Sequence, residues 1–216
     1  MKRLFKRLFG DLKMSWPAVV LFAAAAGIYT GGILLVTPLK GTSFQDIGIS
    51  FEWWVIFAVI VVVNCRKNLE AMLKCFVFFL ISQPLVYAVQ ILFGPLSLSM
   101  ALYYYRSMWL PATLLTLPGG FIAFWCRKQN AAGAVVLGLG NTIQMFLGVS
   151  YFVSAVQHFP YHLLSALVCF GSAVLMSFRI QKEKKYRLLS LLIPAVLTAG
   201  LVVFCLLSGR TLAFGG

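Results

Sequence analysis

Two sets of uncharged polar side chains stand at helical spacing inside apolar stretches. Gln83, Tyr87 and Gln90 recur at i, i+4 and i+7, which is one face of a helix, with Ser82 and Pro84 beside Gln83. Asn141, Gln144, Gly148 and Tyr151 form a second such face. Amides and phenols donate and accept hydrogen bonds without carrying charge, so the chemistry they offer is recognition of a small neutral or amphipathic solute. The same groups can also bond across packed helices as glue, worth roughly 0.6–2 kcal/mol each. If the two faces meet, Gln83 and Gln144, each near the centre of its run, make a neutral patch at mid-membrane depth, where transporters with broken helices bind substrate. Pro84 lacks a backbone donor and predicts a kink, and Pro118, Gly119 and Gly120 predict a second break.

Charged chemistry is scarce. Asp11, Asp46, Glu52, Glu70 and Glu183 read as lying in connections or at the ends of apolar runs, and no Lys or Arg reads as deep in one. This argues against a proton pump with a mid-membrane carboxylate relay, since ionisable groups at that depth are costly and functional when present. Glu52 and Arg106 are expected at an outer mouth. His158 and His162 stand at i and i+4, but Pro160 between them spoils a helix and two histidines fall short of a zinc shell, so no metal is assigned. An outward-facing enzyme using Glu52 or a histidine as acid–base group and Arg106 as an anion clamp is the least favoured reading, because no catalytic spacing supports it. There is no phosphate-binding glycine loop, so the chain does not itself hydrolyse ATP, and no cofactor is assigned. The five cysteines include no C-x-x-C pair and read as free thiols packed as small hydrophobes.

The elements that must position these groups follow from composition. The 216 residues are 61% hydrophobic and 11% charged, with mean hydropathy +0.93, far from a soluble domain. Runs long enough for a bilayer core of about 30 Å predict an all-α, polytopic transmembrane bundle of six to seven spans. The seven candidates are Trp16 to Val36, Phe51 to Cys65, Cys75 to Phe93, Trp109 to Cys126, Ala134 to Val156, Leu163 to Ile180 and Leu188 to Ser208. The net charge of +13 is explained by sidedness. Fifteen Lys and Arg fall in the N-terminal segment and alternate connections, against Lys40, Arg106 and Arg210 on the other side. The positive-inside rule then places the N-terminus in the cytoplasm and the C-terminus outside, in a plasma membrane. The surplus matches anionic lipid at the cytoplasmic face and requires no nucleic acid.

Residues 1–14 carry KRLF twice and predict a short basic amphipathic helix in the headgroup layer, ahead of a single transmembrane domain over residues 15–216. Ala23, Gly27 and Gly31 form a small-residue stripe that admits a close helix, within the chain or in a homodimer. Cys65-Arg66-Lys67 and Cys126-Arg127-Lys128 stand 61 positions apart, as do Gln83 and Gln144, which is compatible with a repeated hairpin built around a basic turn. Together these features favour a membrane protein that transports or binds a small neutral or amphipathic solute, alone or as the membrane subunit of a complex. The alternative is a non-transporting accessory, assembly or immunity-type subunit whose polar faces bind other helices.

Overall fold

The computed structural model describes residues 9–10, 12–39, 42–49, 51–159 and 161–209. Most of the basic N-terminal segment, with Lys40, Pro160 and Arg210, therefore lies outside the described residues. Within them the chain is helical and has no strand. The α-helices are α1 (Trp16–Ile33), α2 (Ser43–Ile49), α3 (Phe51–Val63), α4 (Asn68–Phe93), α5 (Leu98–Tyr104), α6 (Leu110–Ala123), α7 (Ala131–Gln157), α8 (Leu163–Ile180) and α9 (Lys184–Leu207).

Seven helical stretches are long and apolar enough to cross a membrane, and the protein is a multi-pass helical bundle. Its surface reverses the soluble pattern. Leu21, Leu115 and Val196 are each more than two-thirds exposed, while Gln83, Asn141 and Gln144 are buried. Apolar groups facing outward and amides facing inward is the arrangement that lipid selects. Five spans start earlier than hydropathy alone suggests, by the widest margins at Ser43, Asn68 and Leu98. The first two gain Asp46 and Lys74, charged residues that hydropathy pushes out of a span and that hydrogen-bonded partners let back in.

Local sequence sets the helix starts. Ser15, Ser97 and Asn130 each accept a backbone N–H with the side chain at the start of α1, α5 and α7. The fourth span is irregular, but away from its proline and glycines. A π-helical turn at Tyr105–Trp109 joins α5 to α6, and a 3-10 turn at Phe124–Arg127 ends it. The expected break at Pro118, Gly119 and Gly120 is absent, since α6 runs through all three, just as α4 runs through Pro84. The small residue at 120 serves packing instead, because a Cβ there would sit 3.1 Å from that of Cys75.

The chain divides into two compact units, the first Met1–Lys40 with Phe57–Phe124, the second Gly41–Ile56 with Trp125–Gly216. In the first, α4 is the central helix, flanked by α1 and α6. The small-residue stripe of α1 is consumed here. A Cβ on Gly27 would lie 2.6 Å from the Ser82 carbonyl oxygen, and one on Gly31 2.7 Å from the Val89 Cβ, so α1 runs parallel to α4 at backbone contact. Phe22, Phe57 and Phe78 close the packing with centroids 5.1–6.2 Å apart. Lys74 of α4 is buried, paired with Glu70, bonded to the Met14 carbonyl and set 5.5 Å from the Trp16 ring, which ties the residues before α1 to α4. The expectation that Lys74 lies in a connection ahead of a span starting at Cys75 is corrected, since it stands inside α4.

In the second unit α7 is central, between α8 and α9. Gly148 meets Cys169 and Phe170 of α8, and Gly138 meets Ile193 of α9. One end is laced by backbone contacts. Gln181 Nε2 donates to the Cys126 carbonyl at 2.6 Å, Gln129 Nε2 donates to the Ile180 carbonyl at 2.8 Å, and the Lys182 N–H donates to Gln129 Oε1 at 2.7 Å. The two basic turns spaced 61 residues apart thus each precede the central helix of a unit, and those helices carry Gln83 and Gln144.

Candidate functional site

The first unit holds a group of buried polar side chains that its own packing leaves unsatisfied. Among the described residues, Thr30 Oγ1, Ser82 Oγ, Gln83 Nε2 and Thr113 Oγ1 have no hydrogen-bond partner, and all four residues are at most 3% exposed. They come from α1, α4 and α6. Their depths can be read from close contacts. Gly27 and Gly31 lie against residues 82–89 of α4, which brackets Thr30. The Trp109 side chain lies beside Tyr87 and Gly120 lies against Ala71 and Cys75, so α6 runs antiparallel to α4 and Thr113 comes level with Ser82 and Gln83. Pro84 leaves the Leu80 carbonyl one turn back without its helical donor, but both residues are on the exposed face of α4. Tyr87 and Gln90 continue the face toward the Phe93 end, half-buried.

The second face is built differently. Asn141 Nδ2 donates to Ser177 Oγ at 2.9 Å and to the Ala173 carbonyl at 3.2 Å, joining α7 to α8. Gln144 Nε2 donates to the Glu52 carbonyl at 2.9 Å, joining α7 to α3. Tyr151 stacks on His162, with centroids 5.9 Å apart and planes at 20°. The amide nitrogens of Asn141 and Gln144 thus have acceptors inside their own unit and act as interhelical glue, while Asn141 Oδ1 and Gln144 Oε1 have no partner among the described residues.

The charged residues depart furthest from expectation. Glu52 is 1% exposed, the tenth residue of the span that begins at Ser43, and so is a buried carboxylate well inside a span and no part of an outer mouth. Asp46 and His162 are paired, with Oδ2 and Nδ1 2.6 Å apart, so His162 is not a free loop histidine. His158 is exposed. Among the described residues, no three His, Cys, Asp or Glu side chains gather as a metal site. Arg106 is exposed in the first unit, where it lines a cleft of about 500 Å³ with Ser99, Leu102, Tyr103 and Ser107. Cys65, Cys75, Cys126 and Cys169 are buried and Cys205 partly exposed, and none of the five is in a disulfide.

No protein-family model, curated protein or solved structure matches this chain. The functional reading therefore rests on its own residues. Sequence spacing found Gln83 and missed Thr30 and Thr113, since lone hydroxyl residues are common in membrane helices and form no pattern. It also missed Gln181 and Ser165, whose partners lie 55 and 119 residues away.

Proposed function

We infer that this protein is a membrane transporter, or the membrane subunit of a transport complex, for a small neutral or amphipathic solute. Ser82, Gln83, Thr30 and Thr113 recognise the solute at mid-depth in the first unit, with Tyr87 and Gln90 on its approach. The observation that carries this reading is the concentration of unpaired buried donors around Gln83. More than nine-tenths of buried polar groups in folded proteins find a partner, and an exception asks for a reason. Four at similar depth on three helices of one unit are explained by a hydrogen-bonding molecule that visits. Interhelical glue would have paired them with each other, as Asn141 and Ser177 are paired. The basic residues beside the turns support an N-terminus on the cytoplasmic side of a plasma membrane, facing anionic lipid.

Thermal unfolding of the detergent-purified protein against sugars, polyols, nucleosides and zwitterionic amino acids tests the binding half. A solute at 100 times its dissociation constant stabilises by about 2.7 kcal/mol. The absence of any stabilising solute would favour the second reading, an accessory subunit that binds other membrane helices, which the glue-like bonding of the second unit also suits.

A further inference from the structure

The second unit carries a polar cluster that solute recognition leaves unused. Asp46 Oδ2 accepts the Ser165 hydroxyl at 2.7 Å and lies 2.6 Å from His162 Nδ1, and Ser43 Oγ accepts the Ser165 backbone N–H at 3.4 Å. Both partners of the acid–imidazole pair are largely buried, with side chains 14% and 17% exposed. A nitrogen and an oxygen this close need a hydrogen between them. With Ser165 already donating to the same oxygen, the carboxylate is the acceptor and Nδ1 carries the hydrogen. That fixes the tautomer and leaves Nε2 as the ring atom that gains or gives up a proton.

Two further observations point to this cluster as a working site. His162 is the one non-glycine residue with positive φ among those described, at 66°, and backbone strain of this kind collects at functional positions. One turn further along α8 from Ser165, Cys169 is within electrostatic reach of the buried Glu52 and of Asp46. Tyr151 from α7 stacks on the imidazole, Cys169 of α8 is within electrostatic reach of Asp46, and Glu52 from α3 is within reach of Cys169. The half of α9 from Thr198 to Leu207 has no charged residue and a single thiol, Cys205. His158 and Tyr161 lie in the exposed turn before α8.

We propose that Asp46, His162 and Glu52 form a proton-binding site through which a transmembrane proton gradient drives this protein. His162 Nε2 takes one proton from water, turning imidazole into imidazolium beside the Asp46 carboxylate, and returns it on release. No other bond changes and nothing is oxidised or reduced. The driving role rests on the transport reading above, whereas the proton site itself does not.

The test uses the full-length protein in detergent with ¹⁵N-labelled histidine. The chain has two histidines, so exposed His158 is an internal control. The expected spectrum shows His162 protonated on Nδ1 in its neutral form and gaining its second proton at Nε2 as the pH is lowered. Asp46→Asn should weaken proton binding there about tenfold or more, and Glu52→Gln should change it measurably, with His158 unmoved. A neutral His162 protonated on Nε2, no titration, or indifference to Glu52→Gln would each overturn the site. The tautomer and titration are read on the wild type, so an unfolded variant does not block the test. Sodium replacing choline at constant pH should change nothing, and a sodium-dependent shift would also overturn it. In vesicles holding a trapped pH dye, a solute that stabilises the protein should speed collapse of an imposed proton gradient, and His162→Gln should abolish the increase. If solute enters without that effect, the driving role fails. If no solute stabilises the protein, the transport reading and its driving role fall together, and the nitrogen spectrum alone judges the site.

Discussion

Gln144 donates through Nε2 to the backbone carbonyl of Glu52 at 2.9 Å, across 92 residues of sequence. The bond shows what a structural amide in this protein looks like: the NH₂ group is directed at a fixed backbone acceptor on another helix. Gln83, near the middle of the other central helix, has no such partner for its Nε2 among the described residues. The difference between these two glutamines underlies the functional account.

Gln144→Leu should therefore destabilise the protein. The substitution leaves the Glu52 carbonyl without this donor in the second unit, and interhelical bonds of this kind in membranes contribute about 0.6–2 kcal/mol. Unfolding of the purified protein by heat or denaturing detergent would show the loss, and an unchanged midpoint would remove Gln144 from the glue.

Gln83→Met should behave in the opposite way. Removing a buried donor that has no partner relieves a desolvation penalty, and replacing it with a similar volume of apolar side chain is neutral or stabilising. The same unfolding measurement applies. A loss above about 1 kcal/mol, the size of one ordinary hydrogen bond, would mean that Gln83 is structural after all.

Adjacent glycines in α1 offer a test of the helix packing. A Cβ at Gly31 would lie 2.7 Å from the Val89 Cβ, whereas one at Gly32 meets nothing within 4 Å. Gly31→Ala should cost about 1–3 kcal/mol through overpacking. Gly32→Ala should be neutral or gain up to about 1 kcal/mol, because alanine favours the helix. Equal effects would mean that α1 does not pack on α4 through this stripe.

Sidedness can be checked by labelling. Single cysteines placed at Arg127 and at Ser99, in a variant lacking native cysteines, should react differently with a membrane-impermeant maleimide added to intact cells. Ser99→Cys should label directly and Arg127→Cys only after permeabilisation, as the distribution of Lys and Arg requires. The reverse pattern would invert the topology.

The seven spans were legible in the sequence because apolar length is a strong, local signal. Glu52 was not. It opens an apolar run in sequence, and only the helical turns added from Ser43 carry it deep into the span. Lys74 was hidden for a related reason: its charge suggests a connection, yet Glu70 and the Met14 carbonyl satisfy it inside a helix. The helical faces at Gln83 and at Asn141 and Gln144 were readable from spacing, but spacing does not reveal which amides find partners, since those partners are backbone atoms on distant helices. Asp46 and His162 were visible one at a time and Ser165 not at all, and separations of 116 and 119 residues concealed their convergence.

Uptake into proteoliposomes tests the central claim most directly. The solute that most raises the thermal midpoint of the wild type would be radiolabelled and followed into vesicles holding wild type, Gln83→Met or no protein. The account predicts saturable entry with the wild type and at least tenfold slower entry with Gln83→Met, a variant expected to remain folded. Entry no faster than in empty vesicles, or equal entry in both proteins, would contradict it.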